Sequence, residues 1–479
     1  MANGEDVFMP TEFIHGLYDG GHGAGLEDFW NNYSSSPLFA GGFLWSFSDE
    51  AVVRTDKQGE IDSDGNHAPD GIVGPYREKE GSFYTIKEMW SPVQIEPVTI
   101  NKHYDGKLFV KNEYLYTNLK QCNFSWTLTS IKGISKIKII GSGDLPGPDI
   151  APGETSVVVL NLPGDFANAE ILTLKAENAL GKEIYTWSWP IKQPEEVSKN
   201  LITSLNEGIS PESIAVSEKG SNVVASIKGL ELSFNKTNGF LEKVQNSNGE
   251  VSFTGGPLPV GIESSPITAN WGKDSEGNFM LKVEYDNYPN YIQWKLTPSG
   301  LLNLEVSPLL MRRNNIDYIG VSFNYPESLV KGVKWLGKGP YRVWKNRIKG
   351  AEMGVWQKNY NNTITGESFD NLIYPEFKGY HANLYWMELQ NKETPFTIIS
   401  ETPGLFFRLY TPETPKAATG GVAPPFPEGD LSFLYEIPAI GTKFKEAEAM
   451  GPNSQKGEIN YHKGDKGYPI KLWFDFREQ

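Results

Sequence analysis

Only one cysteine, Cys122, stands in 479 residues. A single thiol excludes an intrachain disulfide and any cysteine-based metal site, and Cys122 reads as a small buried apolar side chain. Positive charge is also scarce: 44 Lys and Arg face 59 Asp and Glu, a net charge of −15. No basic tract stands out, and an acidic domain repels phosphate backbones, so no nucleic-acid partner is expected. No window of about 18 apolar residues occurs, so neither a transmembrane helix nor a membrane partner is expected. The opening MANGEDVFMP lacks the basic start and apolar core of a signal peptide.

What the chain has in quantity is aromatic residues, 13% of the total, with 49 glycines and 32 prolines. That mixture favours many short strands joined by turns. Rings of this number serve equally as cores of large β-sandwiches or as platforms for the C–H faces of sugars. The length suggests about three domains at ~150 residues each.

Along the chain, residues 6–50 read as strand, loop, helix, strand. In LEDFWNNY, Leu26, Phe29, Trp30 and Tyr33 recur at spacings of three and four, on one helical face. FAGGFLWSFSDE is a second apolar run, and so short a strand–helix–strand spacing suggests parallel strands with a crossover helix. EGSFYTIKEMWSPV, 80–93, reads as a helix ending before Ser91-Pro92. From about residue 96 the apolar period becomes two, as in KLFVKNEYLYTNLKQCNFSWTLTS, and predicts an all-β sandwich to residue 192. Residues 193–210 are polar and read as a linker. Residues 211–479 are strand-rich throughout and suit one oversized sandwich or two fused ones.

The most chemically loaded stretch is PTEFIHGLYDGGHGAG, residues 10–25. A dinucleotide loop needs G-x-G-x-x-G, whereas Gly21, Gly23 and Gly25 are followed by Leu26, and no Walker lysine follows. His15 and His22 lie seven apart across a loop, without the i, i+4 pairing of a helical metal site. A third reading centres on Glu12 as a carboxylate at the C-terminal end of a parallel strand, pointing to the site-bearing face of an α/β barrel, with Trp45 of the next strand able to stack on a sugar. Against it stands an ordinary surface acid at Glu12; an inward-facing Glu12 would bury a charge that needs a reason. DSDGNHAPD, 62–70, fails the calcium-loop spacing and reads as an exposed turn.

TEFIHGLYDGGHGAGLEDFWNNYSSSPLFAGGFLWSFSDE resembles the end of the barrel in glycoside hydrolase family 2, the β-galactosidase family. DGIVGPYREKEGSFYTIKEMWSPVQI looks like that family's final barrel helix, and FVKNEYLYTNL like its second immunoglobulin-like domain. GLELSFNKTNGFLEKV and WLGKGPYRVWKNRIKGAEMGVW resemble the large C-terminal sandwich. The resemblance implies a mainly β chain in four parts. Residues 1–95 would be the C-terminal remnant of a TIM (β/α)8 barrel, 96–192 an immunoglobulin-like β-sandwich, 193–210 a linker, and 211–479 a large galactose-mutarotase-like β-sandwich.

It also implies roles. Glu12 falls on the catalytic nucleophile, His15 on a histidine lining the sugar pocket and Trp45 on the aromatic of its floor. Asp70 falls near a position that binds sodium in some members, with His67 beside it. Retaining glycosidases work with two carboxyls, one protonating the leaving oxygen and one attacking the anomeric carbon. The family's acid/base glutamate and magnesium ligands lie upstream of the nucleophile, so neither is expected in this chain. The chain therefore looks like the C-terminal portion of an exo-glycosidase for terminal β-galactosides, inactive or weakly active alone, with no cofactor of its own and magnesium and sodium in the complete enzyme. A non-catalytic carbohydrate-binding or assembly module is the alternative, as is a β-glucuronidase or β-mannosidase specificity, although the large sandwich favours the galactosidase branch. A β-galactoside oligo- or polysaccharide is the expected partner, a homo-oligomer of the complete enzyme is compatible, and location stays open between periplasm and cytoplasm of a bacterium. Some β-galactosidases send a tryptophan from the last sandwich into the sugar pocket; AATGGVAPPFPEGDLSF has none, and Phe426 is the candidate substitute. Two βα units leave open edges and an apolar face, so residues 1–95 are expected to be marginal alone.

Overall fold

The apolar periodicity of the first 50 residues becomes a parallel strand pair. In the computed structural model, which describes residues 5–15, 23–63, 70–308, 315–363, 373–413, 424–442, 445–457 and 468–478, strand β1 (Phe13–His15) runs beside β2 (Leu44–Trp45). Phe13 pairs with Leu44, and His15 with Trp45. Parallel neighbours need a crossover, and helix α1 (Leu26–Ser34) supplies it. Leu26 is fully buried among Ile14, Ile86, Met89 and Met450, with Phe29 and Trp30 packed at the edge of this cluster. Gly42 lets the strands approach: a side chain there would meet the Phe13 ring at 2.8 Å. A hairpin of β3 (Ala51–Arg54) and β4 (Glu60–Ser63) follows. Helix α2 (Gly81–Met89) starts after Glu80 and stops ahead of Ser91-Pro92. The β1–β2 sheet has two strands among the described residues, which is a strand–helix–strand unit rather than a barrel.

The period-two segment forms two facing sheets. One has the order β5–β6–β9 and the other β11–β10–β7–β8. The strands are β5 (Val93–Ile95), β6 (Lys107–Asn112), β7 (Asn123–Ile131), β8 (Ile137–Pro146), β9 (Thr155–Val159), β10 (Ile171–Glu177) and β11 (Glu183–Pro190). Their inward positions, Val110, Trp126, Leu128, Leu172 and Leu174 among them, make one core that also takes in Cys122. The Val110-to-Asn118 run has a physical basis in Asn112. Its buried amide donates to the Thr117 and Ile150 carbonyls at 2.8 and 2.9 Å and accepts from the Tyr114 N–H at 3.0 Å.

The segment expected as a linker holds a helix. α3 (Pro194–Leu205) begins with proline at a first-turn position and two glutamates in its first turn, both favourable at a helix N-terminus. Val197 and Leu201, one turn apart, are buried in a cluster shared with Ile131 and Ile171 of the small sandwich and Leu336, Tyr385, Trp386 and Ile399 of the following one. A segment that buries apolar side chains against both neighbours is a wedge between them.

Residues 215–475 form one large sandwich of a ten-stranded and a nine-stranded sheet. Much of the aromatic content fills its interior: Trp294, Trp335, Trp344 and Trp386 are fully buried, and Phe253 stacks on Phe323 with centroids 4.7 Å apart. The N-terminal helices dock on this sandwich. The Gly25 N–H donates to the Asn346 carbonyl at 3.0 Å, Asp28 accepts from the Asn453 backbone and side-chain amides at 2.8 Å each, and Tyr84 stacks on Tyr341 at 4.5 Å.

Candidate active site at the ends of two parallel strands

Register places the site. Because His15 pairs with Trp45, the C-terminal ends of β1 and β2 present both rings side by side, stacked at 6.3 Å and 27°. Glu12, three residues earlier, folds back so that its Oε1 lies 2.7 Å from His15 Nε2. The other ring nitrogen, Nδ1, is 3.9 Å from Oδ2 of the fully buried Asp70. The Trp45 indole N–H donates to Glu50 Oε1 at 3.2 Å, and a cis peptide joins Trp45 to Ser46. Glu12, His15, Trp45 and Asp70 are thus brought together around one imidazole.

The Glu12 side chain is 50% exposed rather than facing inward, and it lies in the bend before β1 rather than at a strand's C-terminal end. Trp45 is 41% exposed, and Phe43 and Phe47 beside it are exposed as well. The result is a half-open patch of a carboxylate, an imidazole and an indole. Such a patch offers a nucleophile, a hydrogen-bonding group and a flat ring, the three things a sugar ring can use at once.

Beneath the patch the backbone is zipped. Segment 70–73 lies along segment 46–49: Ser46 N–H donates to the Asp70 carbonyl at 2.6 Å, Ile72 N–H to the Phe47 carbonyl at 3.1 Å and Asp49 N–H to the Val73 carbonyl at 2.9 Å. Asp49 Oδ1 accepts from the Gly71 N–H at 2.8 Å. Burial, followed by weaker contributions from Glu78 and Asp70, pushes the Asp49 carboxyl up to about 7 against the Gly71 hydrogen bond. Glu80, just before α2, is fully buried and faces Asp49 and Glu376, with Tyr374 of the large sandwich against it; burial first and then Asp49 hold its carboxyl well above the ordinary range. Glu376 lies 3.6 Å from Arg342.

Asp49, Glu80 and Tyr374 carry no sequence signal that points to the site. Glu80 sits in the charged run REKEG, which reads as a solvated surface. Phe426 stacks on Tyr380 at 5.0 Å and meets Trp344 edge-on, inside an apolar cluster that includes Ala24 of the N-terminal loop. Its ring is engaged in packing there. His22, His67 and most of the 62–70 turn lie outside the described residues. Among the described residues no three His, Cys, Asp or Glu side chains gather as a metal site requires.

Two protein families match the chain: "Beta galactosidase small chain" over residues 226–420 and "Beta-galactosidase, domain 4" over residues 108–184. A β-galactosidase of Pectobacterium atrosepticum is 22% identical over 455 residues, 80% of this chain and 40% of that protein. One from Arthrobacter sp. (strain B7) is 20% identical over 485 residues, 89% of this chain and 46% of that protein. The chain thus spans less than half the length of these curated relatives. Among solved structures, the exo-chitosanase of Amycolatopsis orientalis matches 56% of this chain and 30% of its own at 12% identity, with a TM-score of 0.18. A galactose mutarotase related enzyme from Lactobacillus acidophilus matches 53% and 96% at 11% identity, with a TM-score of 0.28.

Proposed function

We propose, from the premise that this chain carries a β-galactosidase-like C-terminal region, that it is the C-terminal portion of a retaining exo-glycosidase acting on terminal β-galactosides. Glu12 is the nucleophile, His15 lines the sugar pocket and Trp45 is its floor. Residues 1–95 are the end of a TIM barrel whose remaining elements cover the exposed Phe43, Trp45 and Phe47. The observation that carries the reading is the register of β1 and β2, which gathers an accessible carboxylate, an imidazole and an indole within one sugar's width.

The chemistry follows from the geometry. The Glu12 carboxylate attacks the anomeric carbon, and the bond to the leaving oxygen breaks with its electron pair going to that oxygen. A glycosyl ester on Glu12 results, which water later cleaves. His15 Nε2, 2.7 Å from Glu12 Oε1, steadies the attacking carboxylate when its proton lies there. The acid that protonates a poor leaving group is supplied from outside this chain.

A 2-deoxy-2-fluoro-β-galactoside with a dinitrophenolate leaving group tests the nucleophile, since that leaving group departs without a proton. Mass spectrometry is expected to find the fluorosugar on the peptide containing Glu12, and none after Glu12→Gln. No label, or equal label on the Glu12→Gln chain, would sink the catalytic reading and favour a carbohydrate-binding or assembly module.

A further inference from the structure

We propose that the large sandwich carries a carbohydrate site of its own, a depression of about 680 Å³ lined by Glu263, Ser264, Ser265, Tyr318 and Glu428, which holds a neutral saccharide. None of these residues belongs to the Glu12 patch. The choice of a galactoside as the ligand rests on the proposed function, while the site itself rests on its own geometry.

The wall of the depression is fixed by its backbone. Segment 261–265 follows the strand Thr254–Val260. Gly261 turns it with φ at 90°, and a Cβ there would fall 1.9 Å from the Tyr318 carbonyl oxygen. Only glycine brings this backbone against Tyr318. Ile262 packs on Tyr288, Ile316 and Ile319. The Asn287 side-chain amide donates to the Glu263 carbonyl at 3.0 Å. Ser265 N–H donates to Asp286 Oδ1 at 2.8 Å, and Asp286 N–H donates back to the Ser265 carbonyl at 3.1 Å.

The side chains, by contrast, are left over. Ser264 Oγ is buried with no hydrogen-bond partner, and an orphaned hydroxyl in a native fold calls for an explanation. The side chains of Glu263, Ser265 and Glu428 bond no other described residue, and neither does the Tyr318 hydroxyl. The half-buried Tyr318 ring stacks on no other described ring. Together these groups offer a flat ring, hydroxyls that donate or accept, and carboxylates that accept from O–H. A pyranose, with an apolar C–H face and adjacent hydroxyls, uses all three at once. An anion does not fit, because no described lining residue is cationic. A divalent cation lacks a third acid, since Asp317 beside Tyr318 is paired with Lys456 at 3.1 Å. Tyr318 also packs at the edge of the cluster that holds Ala24, Trp344 and Tyr380, where the N-terminal loop docks. A polysaccharide gripped here stays tethered to the molecule while its ends exchange elsewhere, which raises their effective concentration.

Calorimetric titration of the full chain with β-1,4-galactotetraose tests the site. Saturable binding with a Kd on the order of 1 mM is expected, and it persists in Trp45→Ala, which strips the other patch of its ring. Tyr318→Ala is expected to weaken it about tenfold or more. Ser264→Ala is expected to weaken it about threefold or more while leaving Tm unchanged or higher, because the hydroxyl it removes has no partner in the fold. A serine with a merely structural role would lower Tm instead. No saturable binding, binding that is lost in Trp45→Ala but kept in Tyr318→Ala, or a Ser264→Ala chain with full affinity and a lower Tm would overturn the proposal. Fluorosugar labelling of Glu12 reads the other patch. Labelling without saturable binding sinks this proposal alone, and binding without labelling leaves it standing while the catalytic reading fails.

Discussion

Glu88 Oε2, on α2, accepts the Tyr185 hydroxyl at 2.9 Å and also takes the Gly350 N–H at 2.6 Å. Tyr185 belongs to the small sandwich and Gly350 to the large one, so one carboxylate oxygen joins three parts of the chain. Removing it strands a buried hydroxyl and a backbone N–H. Glu88→Ala is therefore expected to destabilise the chain by about 1–3 kcal/mol, read by urea denaturation. Tyr185→Phe, which removes a donor and leaves Gly350 paired, is expected to cost less. Equal stability of Glu88→Ala and wild type would show that the three-way contact carries no weight.

α3 yields a second expectation. Leu201 is 4% exposed between the two sandwiches, so Leu201→Ala should cost about 2–5 kcal/mol through lost burial and the cavity left behind. A mere connector would tolerate the change within about 0.5 kcal/mol. Arg477 adds a second hold, donating to the Leu205 carbonyl and to Asn206 Oδ1 at 3.2 Å each. Arg477→Ala is expected to fray the last turn, seen as faster amide exchange at Leu205 and Asn206.

The contrast between α3 and α1 shows what the sequence makes legible. α1 has four large apolar residues in eight positions, and its face is plain. In α3 the apolar positions 197, 201, 202 and 205 are diluted by Glu195, Glu196, Lys199 and Asn200, and only tertiary burial reveals the face. Within the site, Glu12, His15 and Trp45 stand out because strand ends and aromatic runs are local patterns. The half-exposure of Glu12 is not local, since it depends on which elements cover the bend. Asp49 and Glu80 are less legible still: 31 positions separate them, and a buried acid in REKEG looks like a surface one. Burial is a property of the packed chain, and the charge pattern alone misassigns it.

Leaving-group dependence gives a third expectation. If the acid/base group is not carried by this chain, substrates that need a proton suffer and activated ones do not. The loss for a poor leaving group is of the order of 10²–10⁴ in rate. The purified chain is thus expected to react with dinitrophenyl galactoside and leave methyl β-galactoside intact. Comparable turnover of both would place a functioning acid within these residues.

Stability against pH should show two limbs of opposite sign. The Asp49 carboxyl is raised from 3.8 to about 7, and Glu80 is raised well above 4.5. Between the unfolded and folded values the native state binds more protons than the unfolded chain, so stability falls as pH rises through that window. Lys358 is the reverse. Its Nζ is fully buried, donates to the Glu376 carbonyl at 2.7 Å and lies 2.9 Å from His381 Nε2. Burial pulls it from 10.5 down to about 7. Between those values the unfolded chain binds the extra proton, so stability rises with pH. Melting temperature should therefore fall with rising pH where the Asp49 and Glu80 window lies alone, and the fall should be opposed once the Lys358 window opens at about 7. Glu80→Gln is expected to flatten the acid limb and leave the alkaline one, while Lys358→Met flattens the alkaline limb and lowers the whole curve by stranding the Glu376 carbonyl. Calorimetric scans of the three chains across pH check this. If each substitution acted on the other's limb, the protonation states assigned to these groups would be reversed.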